Sequence, residues 1–412
     1  MSEHTMIPVA REASSAPRVI LRKGKEESLR RFHPWVFSGA VHHFEGVSPG
    51  DDVSEGTVVD VLTSEGEFVA RGHWQIGSIA VRVLTFADEP IDAAFWLSRL
   101  ERARRTRSVL SLDVPGHNTI YRLVHGEGDN LPGLVVDIYG SVAVMQAHSV
   151  GMHHSRMEIA HALRQTMGDA LTAIYYKSEN TLPFKASLGQ ENGFLYGQSD
   201  ADVATENGLL FRVDWLKGQK TGFFVDQRDN RSLLERYAKG RAVLNMFCYT
   251  GGFSVYAMRG GARLVHSVDS SAKAVELVNE NMRLNFPGDP RHEAFAEDAF
   301  RFLDEMKPQY DLVVLDPPAF AKHKDSLKNA LRGYTKLNAR AFEKMPSGSI
   351  LFTFSCSQAV SKEQFRLAVF TAAAISQRRV RILHQLHQPA DHPINIYHPE
   401  GEYLKGLVLY VE

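Results

Sequence analysis

From about Asn207 onward the sequence repeats one unit: a short apolar run, a turn, then an amphipathic segment of helical period. Apolar runs alternating with helices are what βαβ units require, so this half of the chain predicts a largely parallel sheet covered by helices. Residues 242–247 (AVLNMF) read as a strand, 248–252 as a turn, and 253–261 as a helix stopped by Gly260 and Gly261. The next strand ends at Asp269, Ser270 or Ser271 caps the helix after it, and a strand over 292–297 leads through Asp298 into another helix. DLVVL runs into Asp316-Pro317-Pro318-Ala319-Phe320, a helix is expected near 326–344, and SILFTF runs into Ser355-Cys356-Ser357. Ser361 and Gln364 have capping-box spacing, and two strands near 380–386 and 403–411 close the sheet.

In open sheets of this kind, ligands bind in the crevice beyond the carboxyl ends of the strands. Four ends deliver polar or nucleophilic groups there: the Tyr249-Thr250-Gly251-Gly252 turn, Asp269, the Asp316-Pro317-Pro318 corner and Cys356. Adjacent glycines allow close backbone approach, and an acid about twenty residues further on is placed to accept hydrogen bonds from ribose hydroxyls. Asp269 can equally cap the next helix. The G-x-G-x-x-G spacing and a P-loop lysine are absent, so a pyrophosphate or triphosphate matches poorly. S-adenosylmethionine, a nucleoside cofactor without phosphates, matches better, with Asp269 at the ribose and Asp298 at the adenine.

Asp316-Pro317-Pro318 joins a carboxylate to two residues of fixed φ that lack amide donors, a rigid corner suited to a planar base, with Phe320 available for stacking. A free cysteine is ordinarily an inert small hydrophobe. Position marks Cys356 for chemistry, since it ends an apolar strand beside that corner, flanked by two hydroxyls. Cys248 lies within the cofactor turn and is read as a wall residue.

Composition matters chiefly for partners. With 47 basic and 48 acidic residues, the net charge is −1, so a polyanion must be met by local patches. One patch is Arg22, Lys23 and Lys25 with Arg30 and Arg31, beside Phe32, Trp35 and Phe37, which favours RNA contact. The other, arginines 99, 102, 104, 105 and 107 on an expected helix, reads equally as a solvated face. Strand–turn alternation from Arg18 to about Phe86, with a hairpin at Ser64-Glu65-Gly66, predicts a small β-rich module, and a mixed α+β block follows. Two cysteines exclude a disulfide framework and a Cys-rich zinc site, and the histidines lack ligand spacing, so no metal is expected. No apolar run reaches bilayer length and the start lacks a secretory stretch, which predicts no membrane span and a cytoplasmic location.

Together, Lys220-Thr221-Gly222-Phe223-Phe224-Val225-Asp226-Gln227-Arg228, Asn245-Met246-Phe247-Cys248-Tyr249-Thr250-Gly251-Gly252-Phe253, Asp316-Pro317-Pro318-Ala319-Phe320 and Ser355-Cys356-Ser357 resemble the rRNA large-subunit methyltransferase I family of bacterial RNA 5-methylcytosine methyltransferases. Arg30-Arg31-Phe32-His33-Pro34-Trp35-Val36-Phe37-Ser38-Gly39 resembles that family's PUA RNA-binding domain. The resemblance runs from Arg18 to Glu412. Residues 1–17, outside it, read as a disordered tail; the resemblance implies an α/β architecture: a PUA domain over 18–87, a central α+β domain over 88–205, and a class I (Rossmann-like) S-adenosylmethionine-dependent methyltransferase domain over 206–412.

The same resemblance implies Cys356 as nucleophile and Asp316 against the cytosine. Its cofactor pocket would be shaped by Phe223, Gln227 and Arg228 of the Lys220–Arg228 segment, by Phe247, Thr250 and Gly251, and by Asp269, Asp298, Asp316 and Pro317. Pro317, Pro318 and Phe320 stand on the substrate side, as do Arg22, Lys23, Lys25, Arg30 and Arg31. The implied partner is 23S rRNA or a large-subunit precursor, and the oligomeric state stays open, a homodimer included.

C5 of cytosine is a weak nucleophile. A thiolate added at C6 makes an enamine whose C5 can take the methyl, after which a base removes the C5 proton and the thiolate leaves. Two other readings fit the same residues. In one, an Asp-Pro-Pro-x-Phe corner methylates an exocyclic amine of an RNA base and Cys356 only packs. In the other, the chain is an inert RNA-binding ribosome-assembly factor.

Overall fold

The computed structural model of the protein describes residues 16–46, 52–114, 116–183, 188, 191–321 and 324–412; residues 1–15 of the expected tail lie outside them. The N-terminal module is a six-stranded sheet of β1 (Arg18–Leu21), β2 (Trp35–Phe37), β3 (Val41–Glu45), β4 (Val58–Leu62), β5 (Phe68–Trp74) and β6 (Ile79–Thr85), in the order β2-β6-β5-β4-β1-β3. β4 and β5 pair antiparallel as the expected hairpin. Thr63 fixes the turn, its hydroxyl accepting from the amides of Glu65 and Glu67.

A helix over Ala93–Val109, opened by Asp92 accepting from the Phe95 amide, leads into the middle of the chain. There β7 (Ile120–His125), β8 (Leu134–Tyr139), β9 (Val142–Ala147), β10 (Ala173–Tyr176) and β11 (Gly193–Tyr196) form a sheet in the order β11-β10-β9-β8-β7. Two helices, Val150–His154 and Arg156–Met167, lie between β9 and β10. A ribbon of β12 (Val203–Glu206) and β13 (Leu209–Arg212) follows.

The C-terminal half is a seven-stranded sheet of β14 (Ala242–Met246), β15 (Leu264–Asp269), β16 (His292–Ala296), β17 (Leu312–Leu315), β18 (Ser349–Ser355), β19 (Val380–Leu386) and β20 (Lys405–Val411). Its order is β16-β15-β14-β17-β18-β20-β19. The first five strands of that order run parallel, and β20 is antiparallel to both β18 and β19. Alternate residues serve two cores: Val243, Val314, Phe352 and Phe354 pack on one face, and Leu244, Met246, Leu315 and Leu351 on the other. Helices therefore cover both faces. The parallel strands deliver Met246, Asp269, Ala296, Leu315 and Ser355 to one edge, where the order switches between β14 and β17.

Side chains lock the modules together. Trp35 Nε1 donates to Glu127 Oε1 at 2.9 Å, and the fully buried Arg107 clasps Asp129 while donating to the Asp391 carbonyl at 2.7 Å. Three of the five clustered arginines thus serve packing: Arg107, Arg104 through the Thr166 carbonyl, and Arg99 through Glu89 and the Leu84 carbonyl. Arg102 and Arg105 remain exposed. Among the described residues, no helix is long and apolar enough to cross a membrane.

Candidate active site

Beyond those strand ends lies a cavity of about 260 Å³, walled by the turn after β14, by Asp269 and Asp298, by Asp316, Pro317, Pro318 and Cys356, and by parts of the 219–227 segment. In the turn, Phe247 (φ 58°), Tyr249 (φ 48°) and Gly251 (φ 80°) are all left-handed. Such backbone costs a non-glycine residue on the order of 1–3 kcal/mol and persists where its surroundings hold it. Here the Cys248 amide donates to the Val268 carbonyl at 3.0 Å and the Tyr249 amide to Asp269 Oδ2 at 2.9 Å. A Cβ on Gly251 would stand 2.9 Å from the Val278 side chain. Gly251 therefore shapes the turn without walling the cavity, while the buried Thr250 accepts from Asn281 Nδ2 through its carbonyl.

Asp269 borders the cavity and braces the start of the next helix without capping it. Its Oδ1 accepts from the Ser271 amide at 2.9 Å, and each oxygen keeps a further lone pair. Ser271, not Ser270, caps the following helix. Asp298 caps the helix Ala299–Glu305 through the Arg301 amide and also borders the cavity.

The opposite wall carries the polar machinery. Gln227 Nε2 donates to Asp316 Oδ2 at 3.0 Å, and Asn230 Nδ2 orients Gln227 by donating to its Oε1 at 2.6 Å. Asp226 Oδ2 accepts from the Tyr403 hydroxyl at 2.7 Å and lies 3.6 Å from Lys220 Nζ. Burial opposes the charge of Asp226, but Lys220, His392 and the Tyr403 hydroxyl outweigh it and hold the carboxyl down to about 2. Burial, with the Asp226 charge beside it, pushes Asp316 up to about 7. Near neutral pH one carboxyl is an anion and the other divides its time between acid and carboxylate, the division of labour that acid–base chemistry needs.

Cys356 is half-buried on the same wall. Burial pushes its thiol up, and Lys220 pulls it back down against Asp316 and Asp226. The flanking hydroxyls are anchors. Ser355 Oγ donates to the Tyr334 hydroxyl at 2.9 Å, Ser357 Oγ to the Ala321 carbonyl at 2.6 Å, and Lys405 Nζ donates to the Ser357 carbonyl at 2.5 Å. The thiol is thus presented by a loop pinned on both sides. Cys248 is buried in the cavity wall.

Two further residues expected at the site stand behind it. Phe320 lies tilted against Tyr334 at 4.7 Å and packs over Gly333, bracing the Asp-Pro-Pro corner against the helix Leu327–Lys344, and does not border the cavity. Arg228 is buried, donating to Asp391 with Glu206 at 3.8 Å, because an enclosed cation is held by enclosed anions. Phe223, Gln227, Phe247 and Pro317 do border the cavity. Arg22, Lys23, Lys25, Arg30 and Arg31 are exposed on the N-terminal module and none borders the cavity; Arg30 pairs with Glu67 at 3.1 Å. Sequence spacing does not single out the wall residues Phe224, Arg231 and Leu404. The one signal for Phe224 is the run of charged and aromatic residues around Lys220–Arg228, which follows neither strand nor helix period.

The cavity's charge constrains its ligand. Among the described residues, Asp226, Asp269, Asp298 and Asp316 line it, whereas the two lining cations are engaged, Arg231 by Glu206 at 2.7 Å and Lys220 by Asp226. Such a wall suits a cationic ligand with sugar hydroxyls and repels a phosphate chain. Among the described residues, Asp226 Oδ1 is buried without a hydrogen-bond partner, an omission costing about 1–3 kcal/mol until a donor meets it.

Comparison with known proteins agrees with this geometry. A family model of S-adenosylmethionine-dependent methyltransferases matches residues 122–396, and one of PUA-like domains matches residues 19–86. The Ribosomal RNA large subunit methyltransferase I of Tolumonas auensis is 41% identical over 399 residues, spanning 95% of this chain and 98% of that protein. Its namesake in Shewanella denitrificans is 40% identical over 403 residues, spanning 96% and 100%. Among solved structures, a Streptococcus mutans chain described as a candidate S-adenosylmethionine-dependent methyltransferase superposes with a TM-score of 0.80 at 21% identity, covering 95% of this chain and 99% of its own. A second chain, described as a candidate methyltransferase and complexed with S-adenosylhomocysteine, matches with the same TM-score at 22% identity and the same coverage. At these identities the two structures speak for the fold.

Proposed function

Because the chain belongs to the ribosomal RNA large subunit methyltransferase I family, whose methyl donor is S-adenosylmethionine, we propose that it methylates C5 of a cytosine in large-subunit rRNA through a covalent bond between Cys356 and C6. The observation that carries this reading is the shared cavity: the Cys356 thiol and the Asp316 carboxyl border the same space as Asp269, Asp298 and the left-handed turn.

The residues present fit the cofactor. Asp269 would accept from ribose hydroxyls, Asp298 would meet the adenine, and the unpartnered Asp226 Oδ1 would accept from the ammonium group. When bound, S-adenosylmethionine supplies a methyl group on a cationic sulfonium that a carbon nucleophile can take.

The chain's own residues account for the rest. Cys356, as thiolate, bonds to C6, and the displaced π electrons reach N3, where Asp316 in its acid form delivers a proton. C5 of the resulting enamine is nucleophilic and takes the methyl. A base takes the C5 proton, the freed electron pair restores the C5–C6 double bond and expels the thiolate, and N3 returns its proton to Asp316. Lys220 draws the thiol toward its thiolate against the burial that raises it, and a bound sulfonium would act in the same direction. The target base must leave its stack to reach the cavity, at a cost of a few kcal/mol that is smallest in a single-stranded loop.

Cys356→Ala tests the proposal. The variant should form no 5-methylcytosine yet bind S-adenosylmethionine normally by calorimetry, and the unaltered protein should form an isolable adduct with RNA carrying 5-fluorocytidine. Transfer that survives the substitution, with no adduct, would assign the chain to exocyclic-amine methylation.

A further inference from the structure

A second pocket lies where the N-terminal module, the middle sheet and the C-terminal half converge. Phe32, Phe86, Gly128, Asn130, Asn395 and Tyr397 enclose about 440 Å³. Phe32 is left-handed (φ 62°) and 48% exposed, its ring edge-on to Phe86 at 5.3 Å and tilted toward Tyr397 at 5.4 Å. A bulky residue rarely adopts that backbone, and an aromatic half in water gains little from packing, so the arrangement points to use. Tyr397 is itself 49% exposed.

The walls are held in place. A Cβ on Gly128 would collide with the Pro393 carbonyl, so the turn after β7 and the loop before β20 are in close register. Asn395 Nδ2 donates to the Glu127 carbonyl at 3.3 Å, and Asn395 Oδ1 accepts from the Tyr397 amide at 3.0 Å. Asn130, also left-handed (φ 57°), accepts through its Oδ1 from Asn395, while its Nδ2 donates to nothing among the described residues. Arg30 and Arg31 adjoin Phe32 in sequence and are exposed. Trp35, grouped with them by sequence, instead turns inward onto His398 at 4.3 Å and Glu127.

Flat aromatic faces, one unspent amide donor and neighbouring cations are the chemistry that receives an unstacked nucleobase on a polyanionic strand. We propose that this pocket holds a base of the RNA flanking the target, stacked against Phe32 and Tyr397 with Asn130 Nδ2 donating to its edge. The inference rests on the RNA-substrate reading above and adds how the strand is positioned. The loop that carries Tyr397 also reaches the active site, since Tyr403 donates to Asp226 and Leu404 walls the first cavity. Tyr397 and Leu404 are seven positions apart, at most roughly 25 Å of extended chain, so the two pockets lie within reach of one short single strand.

The full-length protein and its Tyr397→Ala and Phe32→Gly variants should be titrated with a labelled, unstructured RNA oligonucleotide and assayed for methyl transfer to an rRNA transcript. Glycine suits the backbone at position 32, so that variant should fold. Each variant should bind the oligonucleotide about tenfold more weakly and show a KM for the transcript raised to match, with S-adenosylmethionine affinity and melting temperature retained. Unchanged affinity and KM in both variants would overturn the pocket while leaving the proposed reaction standing, as would losses that track reduced cofactor binding. Pocket-dependent oligonucleotide binding by a protein that transfers no methyl to rRNA would support the pocket and sink the reaction.

Discussion

Asp316 and Asp226 show how burial alone does not decide a carboxyl's state. Both are enclosed, yet a lysine, a histidine and a phenol hydroxyl face Asp226, whereas Asp316 faces a neutral amide and the Asp226 charge. Asp316 takes up its proton near pH 7 in the folded chain but near pH 4 when unfolded, so between those values the folded state binds the extra proton. Unfolding free energy therefore falls as pH rises through that window, by roughly 4 kcal/mol at most. Asp316→Asn removes this penalty. The variant should be more stable than the parent at pH 8, with the gain disappearing toward pH 4, in denaturant titrations at both pH values. It should also lose about 10²- to 10⁴-fold in kcat, because an amide cannot deliver a proton to N3. A stability difference that stays flat across the range would mean that Asp316 titrates as an ordinary carboxyl, and its part in the chemistry would go with it.

At the scale of elements, the segment between β13 and the helix Arg228–Ala238 owes its shape to a sheet it does not belong to. Thr221 Oγ1 donates to Asp137 Oδ2 at 2.6 Å and shares a 2.8 Å hydrogen bond with the Tyr139 hydroxyl, both residues of β8. Asp137 in turn holds Arg122 of β7 through two 2.8 Å bonds. Thr221→Val keeps the side-chain volume and removes the donor. It should cost about 1–3 kcal/mol and weaken cofactor affinity several-fold without touching the cavity wall, a combination that calorimetry and thermal melts can read together. This dependence is what spacing in the sequence cannot convey. The parallel strands, the corner at Asp316, the acid at Asp269 and the exposed edge at Cys356 were legible because each is a local signal, an apolar run followed by one conspicuous residue. That Phe320 and Arg228 stand off the cavity was not legible, because Tyr334 lies fourteen positions on from Phe320 and Asp391 is 163 positions from Arg228. Periodicity says which face a residue turns inward and nothing about which buried charge it meets there.

Over the whole molecule, that same counter-ion ties the halves together. Asp391 Oδ2 accepts from the Arg122 amide at 2.9 Å and from Arg228, Oδ1 faces His392 at 3.1 Å, and the Asp391 carbonyl accepts from Arg107. Middle sheet, C-terminal half and the loop carrying Tyr397 and Tyr403 meet at one carboxylate. Burial opposes its charge, but Arg228 and His392 hold it well below the usual carboxylate range. Its contribution is therefore complete above about pH 4 and lost as acid titrates the folded state. Asp391→Ala strands Arg228 with only Glu206 at 3.8 Å and leaves the Arg122 amide unmet, so it should cost about 3–5 kcal/mol at pH 7. The deficit should shrink in increasingly acidic buffer, because the parent protein loses the same interaction there. Limited proteolysis should find new cleavage between residues 387 and 404, and cofactor affinity should fall with it, since Tyr403 and Leu404 ride on that loop. A loss below about 1 kcal/mol at neutral pH would show that Glu206 alone satisfies Arg228, and that the halves are held by their apolar surfaces rather than by this buried ion.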